Sequence, residues 1–193
     1  IPVGSLPELK YPKENRKPFS LITASRLASE KHVDWICKAV IQARSEVPEL
    51  SLDIYGVGGE REKLENIIRD NNASGYIRLM GQHDLSEVYQ NYEAYIAGST
   101  SEGFGLTLME AVGAGLPIIG FDVRYGNPTF IRNGENGYLL ELPEEDKDKI
   151  EALRKGIVDL FKQDLEKCHS VSYEVAKDFL TSNVQEKWRE AVC

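Results

Sequence analysis

Two carboxylates, Glu102 and Glu110, enclose the stretch Gly103-Phe104-Gly105-Leu106-Thr107-Leu108-Met109. A Gly-Phe-Gly turn that opens an apolar helix can present consecutive backbone N–H donors at a helix N-terminus, where unpaired amides and the helix dipole favour an anion. Glu110 falls about 7.5 Å along that helix from Gly105, so the carboxylates bracket the anion site. The helical stretch LTLMEAVGAGL is apolar almost all round and is expected to be buried. A buried Glu110 carboxylate then needs hydrogen-bond donors, which sugar or ribose hydroxyls would supply. The alternative for Glu110 is an exposed edge or a salt bridge to another helix.

A second group of candidates lies in Arg26-Leu27-Ala28-Ser29-Glu30-Lys31. Arg can grip phosphate oxygens in a bidentate fork, and Lys adds a compact charge, so a turn carrying both suits a diphosphate. Read from spacing alone, the same pair is equally well two solvated surface cations. The Gly-rich turn Gly56-Val57-Gly58-Gly59 would let a ligand approach the backbone or would simply reverse the chain. It lacks the full G-x-G-x-x-G spacing and does not follow the first strand, which disfavours a dinucleotide site. The loop Asp122-Val123-Arg124-Tyr125-Gly126-Asn127-Pro128 either helps to close the site or is a plain connection with Tyr125 as a surface ring.

Other chemistry-bearing residues carry weaker signals. His32, His83 and His169 form no metal-ligand pattern and read as solvated or capping side chains, with His32 at a helix start where it could also meet a phosphate. Asp146-Lys147-Asp148 imitates a metal-binding D-x-D but falls at a helix start, where acids complement the dipole. Trp35 and Trp188 sit at helical spacing and read as packing residues. Cys37, Cys168 and Cys193 are odd in number and widely spaced, so reduced thiols are expected.

The elements that must position these residues follow a βα rhythm. Short, nearly continuous apolar runs at 20–25, 50–56, 76–81, 94–99, 116–122 and 136–141 read as strands buried on both faces of a parallel sheet. Helices are expected at 32–46, 60–72, 85–92 and 105–115, with a short turn near 128–133. From Pro143 the strand signal stops. Helical spacing of Ile150, Leu153, Ile157, Leu160 and Phe161 predicts one helix, and Val175, Phe179 and Trp188 are the packing residues of one or two more. The fold class is α/β: a Rossmann-like, doubly wound parallel sheet of about six strands with a helical C-terminal segment. In such a sheet a ligand binds beyond the carboxyl ends of the strands, which is where the candidates above fall.

Composition bounds the partners. The 193 residues carry 23 Lys and Arg against 31 Asp and Glu, a net charge of −8, which disfavours a nucleic acid or an anionic membrane as a bulk electrostatic partner. No apolar run approaches a membrane span and no secretion signal is visible, so the sequence reads as intracellular and at most peripheral at the cytoplasmic membrane. Residues 1–18 begin at Ile1, hold four prolines and show no periodicity. They are expected to be a linker from an upstream domain, with residues 19–193 forming the ligand-binding domain.

The ordered series ITASRLASEKHVDWICKAV, LDIYGVGGEREKL, SEGFGLTLMEAVGAGLPIIGFDVRYGNPTFIRNGENGYLL and the late EKW resembles the donor-binding half of retaining GT-B glycosyltransferases of family 4 over nearly the whole chain. FDVRYGNP and IPVGSLPELKYP more narrowly resemble the accessory Sec system glycosyltransferases that start O-linked GlcNAc modification of serine-rich repeat proteins. The resemblance implies a UDP-sugar donor, UDP-GlcNAc, and transfer to Ser or Thr of a protein acceptor held by the N-terminal half of the fold. It places Arg26 and Lys31 on the diphosphate, Gly56 along the cleft, Gly81 near the uracil and Glu110 on the ribose hydroxyls. Glu102 would meet the donor sugar, with the amides of Gly103, Phe104, Gly105 and Leu106 and the Thr107 hydroxyl near the sugar and phosphate. No metal or other cofactor is expected, a paralogous glycosyltransferase subunit is an implied partner, and these residues alone are expected to be inactive. The alternatives are a glucosyl- or GlcNAc-transferase acting on teichoic acid, and a non-catalytic Rossmann-like interaction module.

Overall fold

A computed structural model describes residue 2 and residues 4–192. Ile1 and Cys193, singled out above, lie outside the described residues.

Six parallel strands form one sheet in the order β3-β2-β1-β4-β5-β6. They are β1 (Ser20–Ala24), β2 (Ser51–Tyr55), β3 (Ile77–Gly81), β4 (Ala94–Ile96), β5 (Ile118–Phe121) and β6 (Gly137–Leu140). Strand side chains alternate between two cores, with Leu21, Leu52, Ile54 and Ile96 on one face and Ile22, Tyr55 and Tyr95 on the other. This double burial is why the central strands read as nearly continuous apolar runs.

On the first face α1 (Val33–Ala43) packs against α2 (Arg61–Asp70) and α5 (Asp146–Phe161). On the second, α3 (Leu106–Gly113) packs against α4 (Gly126–Phe130) and α6 (Leu165–Lys177), and α7 (Thr181–Val192) follows. The expected doubly wound α/β sheet is therefore present. Among the described residues no helix is long and apolar enough to cross a membrane.

Several local expectations are corrected. The helix expected at 85–92 is only a 3₁₀ turn, Tyr89–Asn91. Upstream of it the Asp84 carboxylate accepts from the Ser86 amide at 3.0 Å, a local bond that competes with helix nucleation. The turn near 128–133 begins earlier, as α4. Trp188, expected to pack, is 49% exposed. His169, expected to be solvated, is buried and its Nε2 lies 3.0 Å from the Glu93 carbonyl.

The segment read as a linker is irregular but fastened down. Leu6 is buried and exchanges backbone hydrogen bonds with Phe179 and Thr181, and the Lys10 amide donates to Gly113. The Arg16 guanidinium donates to the carbonyls of Gln90, Tyr92 and Ala114. One side chain thereby ties the segment to two parts of the second face, the 3₁₀ turn before β4 and the end of α3.

Candidate functional site

The strand order reverses between β1 and β4, so the loops beyond these two strands diverge and leave a crevice at the carboxyl edge of the sheet. Their ladder ends at the pair Ile22–Tyr95, whereas β1 stays paired with β2 out to Ala24–Tyr55. The crevice is lined by Thr23, Ser25 and Lys31 from the β1 side and by Gly98, Ser99, Glu102 and Thr107 from the β4 side.

Lys31 ends a 3₁₀ turn, Ser29–Lys31, and reaches across the crevice to Glu102, with Nζ 2.8 Å from Oε2. Both side chains are about one-fifth exposed, 18% and 21%. Seventy-one positions separate them in sequence, so only the tertiary fold makes this pair. Arg26 takes a different course: its side chain is 76% exposed on the rim and pairs with Glu30 at 2.9 Å. Of the two cations placed together by sequence, one faces the crevice and the other lies outside it.

Gly105 adopts the left-handed conformation, φ +81°, as the residue before α3, and its carbonyl accepts from the Leu108 and Met109 amides. Phe104 anchors the turn, its ring centroid 5.6 Å from that of Phe130 and 6.1 Å from that of Phe179. Gly103 is exposed, and a Cβ at this position would meet no other atom within 4 Å. The first-turn amides of α3 have no partner inside the helix and no side-chain cap, and Thr107 and Leu108 of that turn line the crevice. The loop after β5 braces this turn from behind: the Tyr125 and Gly126 amides donate to the Glu102 carbonyl at 2.6 and 3.2 Å. The Tyr125 ring itself is 73% exposed.

The expectation of a buried Glu110 is corrected. Leu106 and Glu110, one turn apart, form an exposed stripe of α3, while Leu108, Met109, Ala111 and Val112 face the core. Tyr89 donates from Oη to Glu110 Oε2 at 3.1 Å. Partial desolvation by the surrounding chain still pushes the Glu110 carboxyl above its ordinary range, against the Tyr89 bond and with help from the Asp84 charge. Glu110 lines a cavity of about 270 Å³ together with Leu6, Lys10, Asp84 and Leu85.

The glycines at 56 and 58 have internal reasons. A Cβ on Gly56, at φ +137°, would stand 1.8 Å from the Ser25 carbonyl oxygen, and one on Gly58 2.3 Å from that of Leu27. These contacts bind the β2 turn to the β1 turn. Gly81, at φ +77° with open space around it, accepts from the Gly56 amide at 2.7 Å and ends β3 on the same edge.

The remaining candidates are structural. The His32 ring stacks on the Trp35 ring at 3.6 Å, and Trp35 is buried. Asp146 and Asp148 occupy the first turn of α5, and among the described residues no three His, Cys, Asp or Glu cluster as metal ligands. Cys37 and Cys168 are buried free thiols, and burial pushes Cys37 up to about 12.

Sequence reasoning missed the tyrosines behind α3 and the network around Asp53. Asp53 is buried in β2 and accepts two hydrogen bonds from Arg78, at 2.7 and 2.6 Å, and one from Tyr92 Oη at 2.6 Å. The signal was available: an acid in an otherwise apolar strand, with an arginine in the next strand at the paired position.

The family model for glycosyl transferases group 1 matches residues 8–178. The chain belongs to this family. Within glycosyl transferases group 1 it is 57% identical over its whole length to the UDP-N-acetylglucosamine--peptide N-acetylglucosaminyltransferase GtfA subunit of Limosilactobacillus reuteri subsp. suis, of which it spans 38%. It is 32% identical to the poly(glycerol-phosphate) alpha-glucosyltransferase of Bacillus subtilis, over 95% of this chain and 27% of that protein. In structure it matches the pneumococcal O-GlcNAc transferase GtfA, solved in complex with UDP and GlcNAc, with a TM-score of 0.95 and 52% identity over all of this chain and 38% of that one. TarM, at 23% identity and a TM-score of 0.77 over 94% of this chain and 36% of that one, shares the group 1 fold.

Proposed function

We propose that this chain binds the UDP-sugar donor of a retaining glycosyltransferase, and that a protein of its relatives' length transfers GlcNAc from UDP-GlcNAc to Ser or Thr of a serine-rich protein. The observation that carries the reading is the convergence of Lys31, Glu102 and the open N-terminus of α3 on the β1–β4 crevice. An anion-binding helix end, a cation and a carboxylate at one switch point suit a sugar diphosphate. A chain 52% identical to this one was solved with UDP and GlcNAc, which supports the same ligand class here. In this reading Lys31, the α3 amides and the Thr107 hydroxyl hold the diphosphate, joined by Arg26 from the rim. Glu110 takes the ribose hydroxyls, with the nucleobase toward Gly81 and the cavity behind Glu110, and Glu102 meets the sugar.

The protein contributes no nucleophile. The leaving diphosphate guides attack on the same face of the sugar, and Lys31, Arg26 and the α3 N-terminus stabilise the charge that grows on the departing oxygen. The acceptor is held by the remainder of a GT-B fold, since positioning of both reactants contributes roughly 7–11 kcal/mol. A paralogous subunit is a proposed partner, supported by the solved GtfA/B complex, whose matched chain is 56% identical to this one. The diphosphate needs no metal in this scheme because the cation and amides supply its counterpart.

A thermal-shift comparison tests the proposal. UDP at one hundred times its Kd stabilises by about 2.7 kcal/mol, or roughly 5–11 °C for a domain of this size, and NAD does not. A larger shift with NAD than with UDP overturns the reading. For a protein of full relative length, transfer that disappears in EDTA and returns with manganese overturns the metal-free scheme.

A further inference from the structure

Where β1 and β4 part, the backbone of Ala24 turns its N–H and C=O toward a strand that has moved away. Ala24 still pairs with Tyr55 of β2 on its other side, but the β1–β4 ladder has ended at Ile22–Tyr95. A single side chain occupies the gap. Tyr95 is buried, at 2% exposure, and its Oη lies 3.3 Å from the Ala24 amide nitrogen, 3.0 Å from the Ala24 carbonyl oxygen and 3.1 Å from Thr107 Oγ1 in the first turn of α3. These groups, with Lys31, Ser99 and Glu102, line the same crevice.

The proton count decides what this hydroxyl can do. The Ala24 amide donates to Oη, which leaves the tyrosine one proton to give, to the Ala24 carbonyl or to Thr107. When Thr107 accepts it, the threonine's own proton is free to point into the crevice. When Thr107 donates to Oη instead, that proton is consumed inside the protein. An anion in the crevice selects the first arrangement, Ala24 N–H to Tyr95 O–H to Thr107 O–H to anion, in which each bond polarises the next. Burial pushes the Tyr95 phenol up to about 12, despite the bonds to Thr107 and Ala24, so it remains a neutral donor at physiological pH.

Resting on the donor-binding reading above, we infer that Tyr95 is a positioning residue for the sugar-diphosphate site, setting the Thr107 hydroxyl as a donor to phosphate and tying the N-terminus of α3 to the end of β1. No proton is transferred; the chain only fixes which way each hydroxyl points.

The test is a double-substitution cycle read by calorimetric titration with UDP on the intact protein, using Tyr95→Phe, Thr107→Val, both together, and Thr107→Ser. Tyr95→Phe is expected to weaken UDP about three- to tenfold, the range of one neutral hydrogen bond. In the Thr107→Val background the same change is expected to cost nothing further, because the hydroxyl through which Tyr95 acts is gone. Thr107→Ser keeps a hydroxyl and is expected to stay within about twofold of the parent. A merely structural Tyr95 would weaken UDP equally in both backgrounds, or only lower the melting temperature, and either result overturns the inference. Should Tyr95→Phe fail to fold, Thr107→Val decides alone: undiminished UDP affinity overturns it. Failure of the unsubstituted protein to bind UDP removes the donor-binding reading itself, and this inference with it.

Discussion

Two polar clusters, one within the sheet at Asp53 of β2 and one at its carboxyl edge around Lys31 and Glu102, differ in how completely their groups are satisfied. Around Asp53 the carboxylate is 2% exposed and saturated by the Arg78 fork and Tyr92 Oη. Burial pushes Asp53 up, but these donors outweigh it and hold the carboxyl below its ordinary range. Around Lys31 and Glu102 a single ion pair spans a crevice, both partners reach solvent, and the amides of the α3 N-terminus open beside them. A buried group with every partner supplied by its own chain has nothing left for a ligand, and its value is in the fold. A partly exposed pair beside free donors can exchange its partner for a ligand at little cost.

The comparison is broken most easily at Asp53. Asp53→Ala is expected to cost about 3 kcal/mol, because Tyr92 loses a buried acceptor while the half-exposed Arg78 rehydrates. Chemical denaturation measures this, and UDP affinity of the folded protein should be unchanged. The pH dependence has a matching sign: a depressed carboxyl gives stability that is present at neutral pH and lost as pH falls through its folded pKa, below 3.8. A stable Asp53→Ala protein with impaired UDP binding would reverse the assignment of the two clusters.

The complementary substitution is Lys31→Ala, expected to weaken UDP by roughly ten- to over one-hundredfold, the range of a charge-assisted bond. Its effect on stability should stay within about 1 kcal/mol, as for a partly exposed pair. Calorimetry and melting on the same preparation separate the two quantities.

Glu102→Gln sharpens the contrast at a smaller scale. Glu102 holds the Lys31 ammonium in the ligand-free crevice, so neutralising it releases the cation, and UDP should bind equally well or about two- to fivefold tighter. A tenfold loss of UDP affinity would place Glu102 on the nucleotide instead of the sugar.

The Glu110 side of the site is legible through pH. Its carboxyl is raised above 4.5, so acceptance of ribose hydroxyls should fade as pH drops through that raised value. Uridine, which lacks the phosphate's own titration, is the probe. Its binding should weaken on acidification in the parent and remain flat in Glu110→Gln.

Much of this architecture was readable in the chain because it depends on local periodicity. Strands buried on both faces are apolar at most positions, as Leu21, Ile22, Leu52 and Ile54 are, and a polar exception such as Asp53 must bring its own partners. The Gly105 turn and the α3 start were readable for a related reason, since a glycine at φ +81° before an apolar run leaves few alternatives. The helix expected at 85–92, which shrinks to a 3₁₀ turn, shows the limit: a single Asp84–Ser86 bond outweighed a weak helical period.

Sequence alone therefore determined the sheet, the order of its elements and the edge on which a ligand would sit, because these follow from hydrophobic patterning and chain connectivity. Only the tertiary structure decided which candidates meet. It brought Lys31 to Glu102, sent Arg26 to the rim, set Glu110 on an exposed stripe and placed Tyr95 beneath Thr107. Those outcomes depend on side-chain directions across strands far apart in sequence, where a difference of one residue turns a group from the crevice to solvent.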